Sequence, residues 1–230
     1  MSKGIYKSLN CGIGSSDNKI TILNNLKKVC KKINTNTKKI VLLKQVHSNK
    51  FHFIGKKHKI KNKRLIGDAL ITNLKNIAIG VLTADCVPIL IYDKDKNIIS
   101  AVHAGWKGAF KGIVTNVIKF LKKKGSKTKN LIAVIGPCIS IKNYEVQKDF
   151  KDKFIKKDNK NELFFKKVKN KTYFSLNKYI YSELRKLGVK KIEIIKKNTF
   201  ELKYNFFSAR RSIVRKEVDY GRNISIIMIN

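Results

Sequence analysis

Short apolar segments follow one another closely in the first half of the chain, and their spacing limits the folds it can adopt. Between residues 40 and 102, six segments have the length and composition of β-strands. The predicted strands are residues 40–45, 51–55, 69–72, 78–82, 89–92 and 98–102. A simple repeat of β-α-β units would place a helix between consecutive strands, and this density of strands argues against it.

Helical patterns lie on either side of this β-rich region. Apolar residues from Ile22 to Ile33 fall on one face of a helix that Asp17 or Asn18 could cap, which places Cys30 in the core. A second amphipathic helix is predicted from Phe110 to Leu121, and Gly125 would end it. Further helices are predicted at 144–156 and 176–187, with strands at 131–135, 192–195 and 224–229. The pattern predicts a mixed α/β or α+β domain.

The length and composition indicate one folded domain. The chain has 230 residues, 43% of them hydrophobic, and contains 2 prolines. No segment approaches the roughly 18 uninterrupted apolar residues of a membrane span. The 4 cysteines are scattered without a disulfide-like framework, which fits a reducing compartment. We therefore expect a single cytoplasmic domain over residues 1–230 that does not insert into a membrane.

The net charge of +37 raises the question of nucleic-acid binding. Only 6 of the 52 basic residues are arginines, and the lysines are spread along the whole chain. No signature of an RNA- or DNA-binding module combines them with stacking aromatic residues. We interpret the lysines as a solvated surface that could attract anionic substrates such as phosphate, without a specific nucleic-acid partner. A basic nucleic-acid-binding protein with a structural metal is the alternative from another class.

Three residues offer ligands for one metal ion. Cys86 follows a predicted strand in Thr83-Ala84-Asp85-Cys86, and His103 ends another in Val102-His103-Ala104-Gly105-Trp106. His47 lies in Gln45-Val46-His47, at the end of a third apolar segment. One Cys and two His suit zinc and leave a fourth tetrahedral position open, as in catalytic sites. The spacing alone is weak evidence for a metal site, because a lone buried thiol or a hydrogen-bonded imidazole is commoner than a ligand.

A set of motifs along nearly the whole chain resembles the YfiH laccase-domain family. The motifs are Ser8-Leu9-Asn10, Gln45-Val46-His47, Asp68-Ala69, Thr83-Ala84-Asp85-Cys86, Val102-His103-Ala104-Gly105-Trp106, Gly136-Pro137, Tyr144-Glu145-Val146, Phe207-Ser208, Arg210-Arg211 and Gly221-Arg222. Members were once described as multicopper polyphenol oxidases. They are now mostly described as zinc-dependent purine nucleoside phosphorylases with adenosine deaminase activity, and some are called peptidoglycan editing factors.

The resemblance implies a fold, a metal site and a function. It implies an α+β fold in which mixed β-sheets pack together and are flanked by helices. It implies that His47, Cys86 and His103 bind zinc, with copper as the other candidate. The implied activity is phosphorolysis of adenosine, inosine or methylthioadenosine, with adenosine deamination as a side activity. A peptidoglycan-precursor editing hydrolase and a polyphenol oxidase remain as enzymatic alternatives.

Other residues are expected at the site on chemical grounds. Asp85 is expected first to orient a ligating His, with proton transfer or a carboxylate that stabilises a turn as the alternatives. Arg210 and Arg211 present planar groups suited to phosphate, with a structural salt bridge to Glu201 or Asp219 as the alternative. The expected substrate-binding residues are Gln45, Gly105, Trp106 and Cys138. Trp106 is most simply a wall that packs against the core, with stacking on a purine as the alternative. For Cys138 a buried structural thiol is an equal alternative to a place in the pocket.

The chain also departs from the family pattern. The strand that usually precedes the Ser8-Leu9-Asn10 motif is not found, so we expect a domain without the family's first strand. Asn198 stands where a Cys is common, and Ala209 replaces an aromatic residue. These departures concern the substrate pocket more than the metal ligands.

Overall fold

The computed structural model describes residues 1–56 and 64–230, and it combines helices with several β-sheets. The helices are α1 (Lys19–Lys32), α2 (Trp106–Phe110), α3 (Ile113–Lys123), α4 (Lys148–Lys157), α5 (Leu176–Lys186) and α6 (Ala209–Val214). The strands are β1 (Ile40–Val41), β2 (Phe51–Ile54), β3 (Ala69–Thr72), β4 (Ala78–Thr83), β5 (Val87–Asp93), β6 (Ile98–Ala104), β7 (Leu131–Ile135), β8 (Glu145–Val146), β9 (Phe165–Val168), β10 (Lys171–Phe174), β11 (Lys191–Ile194) and β12 (Asn223–Ile227).

The strands form three sheets. The largest has the order β11-β7-β5-β6-β3-β2, with parallel pairs at both edges and antiparallel pairs between them. A second sheet has the order β1-β4-β12, and a third has the order β8-β10-β9. The predicted α+β fold of mixed sheets flanked by helices is therefore confirmed.

The core lies on both faces of the large sheet, because neighbouring residues of its central strands point in opposite directions. In β3, Ile71 packs with the helices, whereas the adjacent Leu70 packs with the second sheet. All seven residues of β6 are buried for the same reason. The centre of the sheet is thus covered on both sides, and its strand ends are the places where polar side chains can meet a cavity.

Sequence patterns located several elements correctly. The helix predicted after residue 17 is α1, where the Asn18 side chain accepts a hydrogen bond from the Thr21 N–H, and Cys30 is buried in it. The strand predicted at 69–72 coincides with β3. Among the described residues, no helix combines the length and the apolar character that crossing a bilayer requires.

Several boundaries differ from those predicted, most clearly in three elements. The strand predicted at 40–45 extends only over β1, Ile40–Val41. The helix predicted from Phe110 is interrupted at Gly112, whose φ of 82° is left-handed, so Phe110 ends α2 instead. The helix predicted at 144–156 begins only at Lys148, because Glu145 and Val146 pair with β10. In addition, β9 and β10 were not predicted, since their lysines mask the alternation of a strand.

Candidate metal centre

The structure brings together the three residues expected to bind a metal. One potential ligand atom each from His47, Cys86 and His103 lies within 4.8 Å of the others. The Cys86 Sγ and the His47 Nε2 are 3.6 Å apart. Tetrahedral bonds of about 2.3 Å to sulfur and about 2.1 Å to nitrogen would separate two ligands by about 3.6 Å. The donor set and its spacing therefore fit zinc.

Strand pairing explains how residues distant in sequence meet. Cys86 directly precedes β5, and β5 pairs with β6 so that Pro88 lies opposite His103. His47 reaches the same end of the sheet from the loop that follows β1. Gly105, just after β6, allows this approach: a Cβ there would lie 2.5 Å from the His47 Cδ2 and 3.0 Å from the Cys86 Sγ. Gly105, which was expected to bind substrate, is not among the residues that line the cavity and instead leaves room for His47 and Cys86.

Asp68 is the residue that orients the ligands. Its buried carboxylate accepts hydrogen bonds from the backbone N–H groups of His47 (3.0 Å) and Ser48 (2.6 Å). The same carboxylate lies 2.8 Å from the His103 Nδ1. Because Nδ1 is engaged in this way, Nε2 is left to face a metal ion. The contacts to His47 also hold a residue whose φ of 57° is uncommon outside glycine.

The charges at the site favour the metal-binding form of the thiol. Burial works to raise the pKa of Cys86, but His103 and His47 outweigh it and lower the pKa to about 6. Burial likewise opposes a charged His103, yet Cys86 and Asp68 raise the pKa of its imidazole to about 9. The thiolate is the form that coordinates metals, and a bound ion would displace the imidazole proton.

A cavity of about 300 Å³ opens beside the three ligands. That volume is at the lower end of the range for small-molecule sites. The lining is mostly apolar and aromatic, with Arg210 as its one cation among the described residues. It comprises His47, Ala84, Asp85, Cys86, Trp106, Ile139, Tyr144, Leu176, Ala209, Arg210, Ile213 and Tyr220. Such a lining suits a flat organic molecule with a polar or anionic portion.

Asp85 has a different role from the one expected first. The expectation that it orients a ligating His is wrong, because Asp68 does so. Asp85 accepts hydrogen bonds from the Thr199 hydroxyl (2.6 Å), the Ser208 hydroxyl (3.0 Å) and the Arg210 N–H (2.7 Å). Its backbone φ of 85° is left-handed. Asp85 therefore anchors the segment that carries Arg210 to the end of the sheet, in a conformation that these bonds stabilise.

The two adjacent arginines point to different surroundings. Arg210 lines the cavity, donates to the Glu145 carbonyl (3.0 Å) and lies 5.5 Å from the centre of the Tyr144 ring. Arg211 instead donates to the backbone carbonyls of Thr199 (2.8 Å), Phe200 and Phe206. Neither arginine forms the suggested salt bridge, since the carboxylates proposed as partners bind Lys203 and Arg222. Only Arg210 is placed to meet a ligand.

The remaining expected residues divide between the cavity and its supports. Trp106 lines the cavity and also packs against Phe150, with ring centres 5.0 Å apart. Both ends of the Gln45 side-chain amide are bonded to the backbone of Leu82, so Gln45 fixes the loop that carries His47. Cys138 is buried, and burial raises the pKa of its thiol to about 12. Gln45 and Cys138 thus support the site from outside the cavity.

Asp68, Tyr144 and Tyr220 are site residues whose roles were not predicted from the sequence. Asp68 and Tyr144 lie within family motifs, and that position was the one signal that could have marked them. Tyr220 precedes the Gly221-Arg222 motif and reaches the cavity from the opposite end of the chain. Its place beside the metal ligands follows from the pairing of β12 with β4.

Comparison with known proteins identifies the relatives of this chain. It is 35% identical to a purine nucleoside phosphorylase of Rickettsia prowazekii, over 80% of this chain and 75% of that protein. It is 30% identical to a purine nucleoside phosphorylase of Bacteroides thetaiotaomicron, over 100% and 87% of the two chains. The match to a Rickettsia conorii protein of the same name, at 36% identity, spans 65% of that protein's length.

A solved structure and a family model also match this chain. The crystal structure of the Bacillus licheniformis hypothetical protein YfiH superimposes with a TM-score of 0.91 at 28% identity, covering 100% of this chain and 88% of that chain. A family model described as multi-copper polyphenol oxidoreductase laccase matches residues 1–230. The matched residues include the three candidate metal ligands and all the residues that line the cavity. The chain therefore belongs to the YfiH laccase-domain family, whose model carries the name of multi-copper polyphenol oxidoreductase laccase.

Proposed function

We propose that this protein is a zinc-dependent purine nucleoside phosphorylase acting on adenosine, inosine or methylthioadenosine, with adenosine deamination as a side activity. The observation that carries the proposal is the cluster of His47, Cys86 and His103, because His47 and Cys86 line a cavity that Arg210 also lines. The names of the relatives support the same substrate class. For adenosine and inosine, the products of phosphorolysis are the free base and ribose 1-phosphate.

The chain's own residues suggest how substrates would bind. Arg210 would hold phosphate, because a guanidinium offers paired donors to its oxygens. The aromatic lining would receive the base, and the surface lysines would raise the local concentration of phosphate. Asp85 would keep Arg210 in position through the backbone bond described above. A bound zinc ion would supply Lewis acidity, polarising phosphate for phosphorolysis or water for deamination.

Product analysis with and without phosphate tests the proposal. Purified, zinc-loaded protein is incubated with adenosine or inosine, and the bases and nucleosides are separated by chromatography. Phosphorolysis predicts release of adenine or hypoxanthine that depends on phosphate, with ribose 1-phosphate formed in equal amount. Deamination predicts inosine from adenosine without phosphate. If neither nucleoside is consumed under either condition, the proposal is refuted.

Other activities predict other outcomes. The description of the matching family model suggests phenol oxidation, but multicopper oxidases use more imidazole ligands than the 4 histidines of this chain could provide. Oxygen consumption with a phenol after copper loading would support that alternative. A peptidoglycan-precursor hydrolase would release an amino acid from the precursor. A nucleic-acid-binding protein would show salt-dependent affinity for DNA or RNA without turnover.

A further inference from the structure

Tyr220 differs from the other aromatic residues of the cavity in how its ring is surrounded. Trp106 packs against Phe150 at 5.0 Å, and Tyr144 lies 6.3 Å from the same ring, so both are built into the aromatic core. Tyr220 makes no ring-to-ring contact with any residue in 1–56 or 64–230. Instead, the guanidinium carbon of Arg222 lies 4.1 Å from the centre of its ring. Arg222 thus covers one face of the Tyr220 ring, and Tyr220 is one of the residues that line the cavity.

The turn that carries Tyr220 is fixed by contacts with Asp219 and Arg222. Arg222 donates to the Asp219 carboxylate (3.0 Å) and to the Tyr220 carbonyl. Asp219 also accepts hydrogen bonds from the Tyr6 hydroxyl (2.8 Å) and the Ser16 N–H (2.8 Å). These bonds join the turn to a segment more than 200 positions away in sequence. The ring is therefore held in place before any ligand binds.

The next residues leave little room for the turn to shift. A Cβ at Gly221 would lie 2.4 Å from the Phe207 ring, and one at Gly12 would lie 2.7 Å from the Arg222 Cδ. The Arg222 N–H also donates to the Asn10 side chain at 2.9 Å. Both sides of the turn are closely packed. An aromatic face held rigidly loses little conformational freedom when a ligand stacks on it.

We propose that Tyr220 is the stacking surface for the purine base, with Arg222 covering the opposite face of its ring; this inference rests on the proposed function. A flat aromatic ring at a cavity, paired with no other ring among the described residues, suits a planar base, which stacks with an offset on such a ring. Arg222 holds the ring from behind through a cation–π contact. Tyr220 then determines affinity for the base, while Arg210 contacts phosphate.

Substitution of Tyr220 separates stacking from a structural role. Tyr220→Leu keeps an apolar side chain but removes the flat ring, so affinity for inosine should fall roughly 5-fold to 150-fold, equivalent to about 1–3 kcal/mol. Tyr220→Phe keeps the ring and should restore most of that affinity. Tyr204→Leu is the matched control, because Tyr204 also has a lysine 5.1 Å from its ring but lies outside the cavity.

Binding is followed with the zinc-loaded protein by the fluorescence of Trp106, the single tryptophan of the chain and part of the cavity wall. Steady-state kinetics then give separate KM values for inosine and phosphate. Stacking predicts that Tyr220→Leu has a higher dissociation constant and a higher KM for inosine but an unchanged KM for phosphate. In Tyr204→Leu all three constants should equal those of the wild type. This pattern, with rescue by Tyr220→Phe, would support the proposal.

Three results would overturn it. Wild-type affinity of Tyr220→Leu for inosine would show that the base does not stack there. Equal losses for inosine and phosphate, together with a lower Tm, would make Tyr220 a structural residue. Failure of Tyr220→Phe to restore affinity would assign the effect to the hydroxyl. If the wild type binds inosine but releases no base, the proposed function fails while stacking still stands, because the fluorescence titration requires no turnover.

Discussion

Replacement of Gly105 by alanine should weaken metal binding without unfolding the protein. The backbone φ of Gly105 is −70°, which any residue adopts, so the substitution is limited by space alone. Its Cβ would lie 2.5 Å from the His47 Cδ2, whereas carbon atoms in contact are normally about 3.5–4.0 Å apart. The imidazole must therefore retreat by about 1 Å. Metal–ligand distances tolerate deviations of only about 0.2 Å, so His47 would no longer bind the ion.

Gly105→Ala should lower the affinity for zinc strongly and the free energy of unfolding only slightly. Disturbing residues that merely support metal ligands typically costs about 10-fold to 100-fold in affinity. Displacing a ligand itself should cost at least about 100-fold, or about 2.8 kcal/mol. His47 is solvent-exposed and can turn outward, so the free energy of unfolding of the metal-free protein should change by less than about 1 kcal/mol.

Competition with a chromophoric chelator measures the zinc affinity, and urea unfolding of the metal-free protein measures stability. Gly14→Ala is the matched control, because a Cβ at Gly14 would meet no atom within 4 Å. The control should bind zinc like the wild type. Wild-type zinc affinity in Gly105→Ala would refute the reasoning, because it would show that His47 is not a ligand or that the site adapts to the added methyl group.

Five further substitutions follow from the same contacts, one of them tested by a pH titration. Cys86→Ala should remove bound metal and turnover together, whereas Cys138→Ala should retain the metal at a cost of about 1 kcal/mol in unfolding free energy; metal analysis of both proteins decides. Arg210→Ala should lower kcat/KM for phosphorolysis by about tenfold or more with little change in Tm. Arg211→Ala should instead lower the free energy of unfolding by about 2–4 kcal/mol, because its guanidinium holds three carbonyl groups; a phosphate-specific kinetic defect there would contradict the assignment. Burial tends to raise the pKa of Asp219, but hydrogen bonds from Ser16, Tyr220, Tyr6 and Arg222 lower it to about 2. Its stabilising effect is therefore complete above about pH 3.9 and lost as the pH falls through about 2, so Asp219→Asn should lose less stability than the wild type over that interval, as measured by circular dichroism.

Sequence alone was sufficient for features that depend on neighbouring residues. The strand at Ala69–Thr72 is a continuous buried segment, and Asn18 caps α1 through a contact three residues away. The candidate ligands His47, Cys86 and His103 were found because each lies in a short motif at the end of an apolar segment. Such features can be predicted from the sequence because periodicity and short motifs involve residues that are close together along the chain.

The tertiary structure decided the roles of residues that look alike in sequence. Asp68 and Asp85 both lie in family motifs, but only the pairing of β3 with β6 brings Asp68 to His103. Arg210 and Arg211 are adjacent, yet the hydrogen bonds of Asp85 turn one toward the cavity and leave the other among backbone carbonyls. The hydrogen bond between Asp68 and His103 joins residues 35 positions apart, and the one between Arg210 and Asp85 joins residues 125 positions apart. Their partners are set by strand register and by the packing of one sheet on another, which no local pattern of residues encodes.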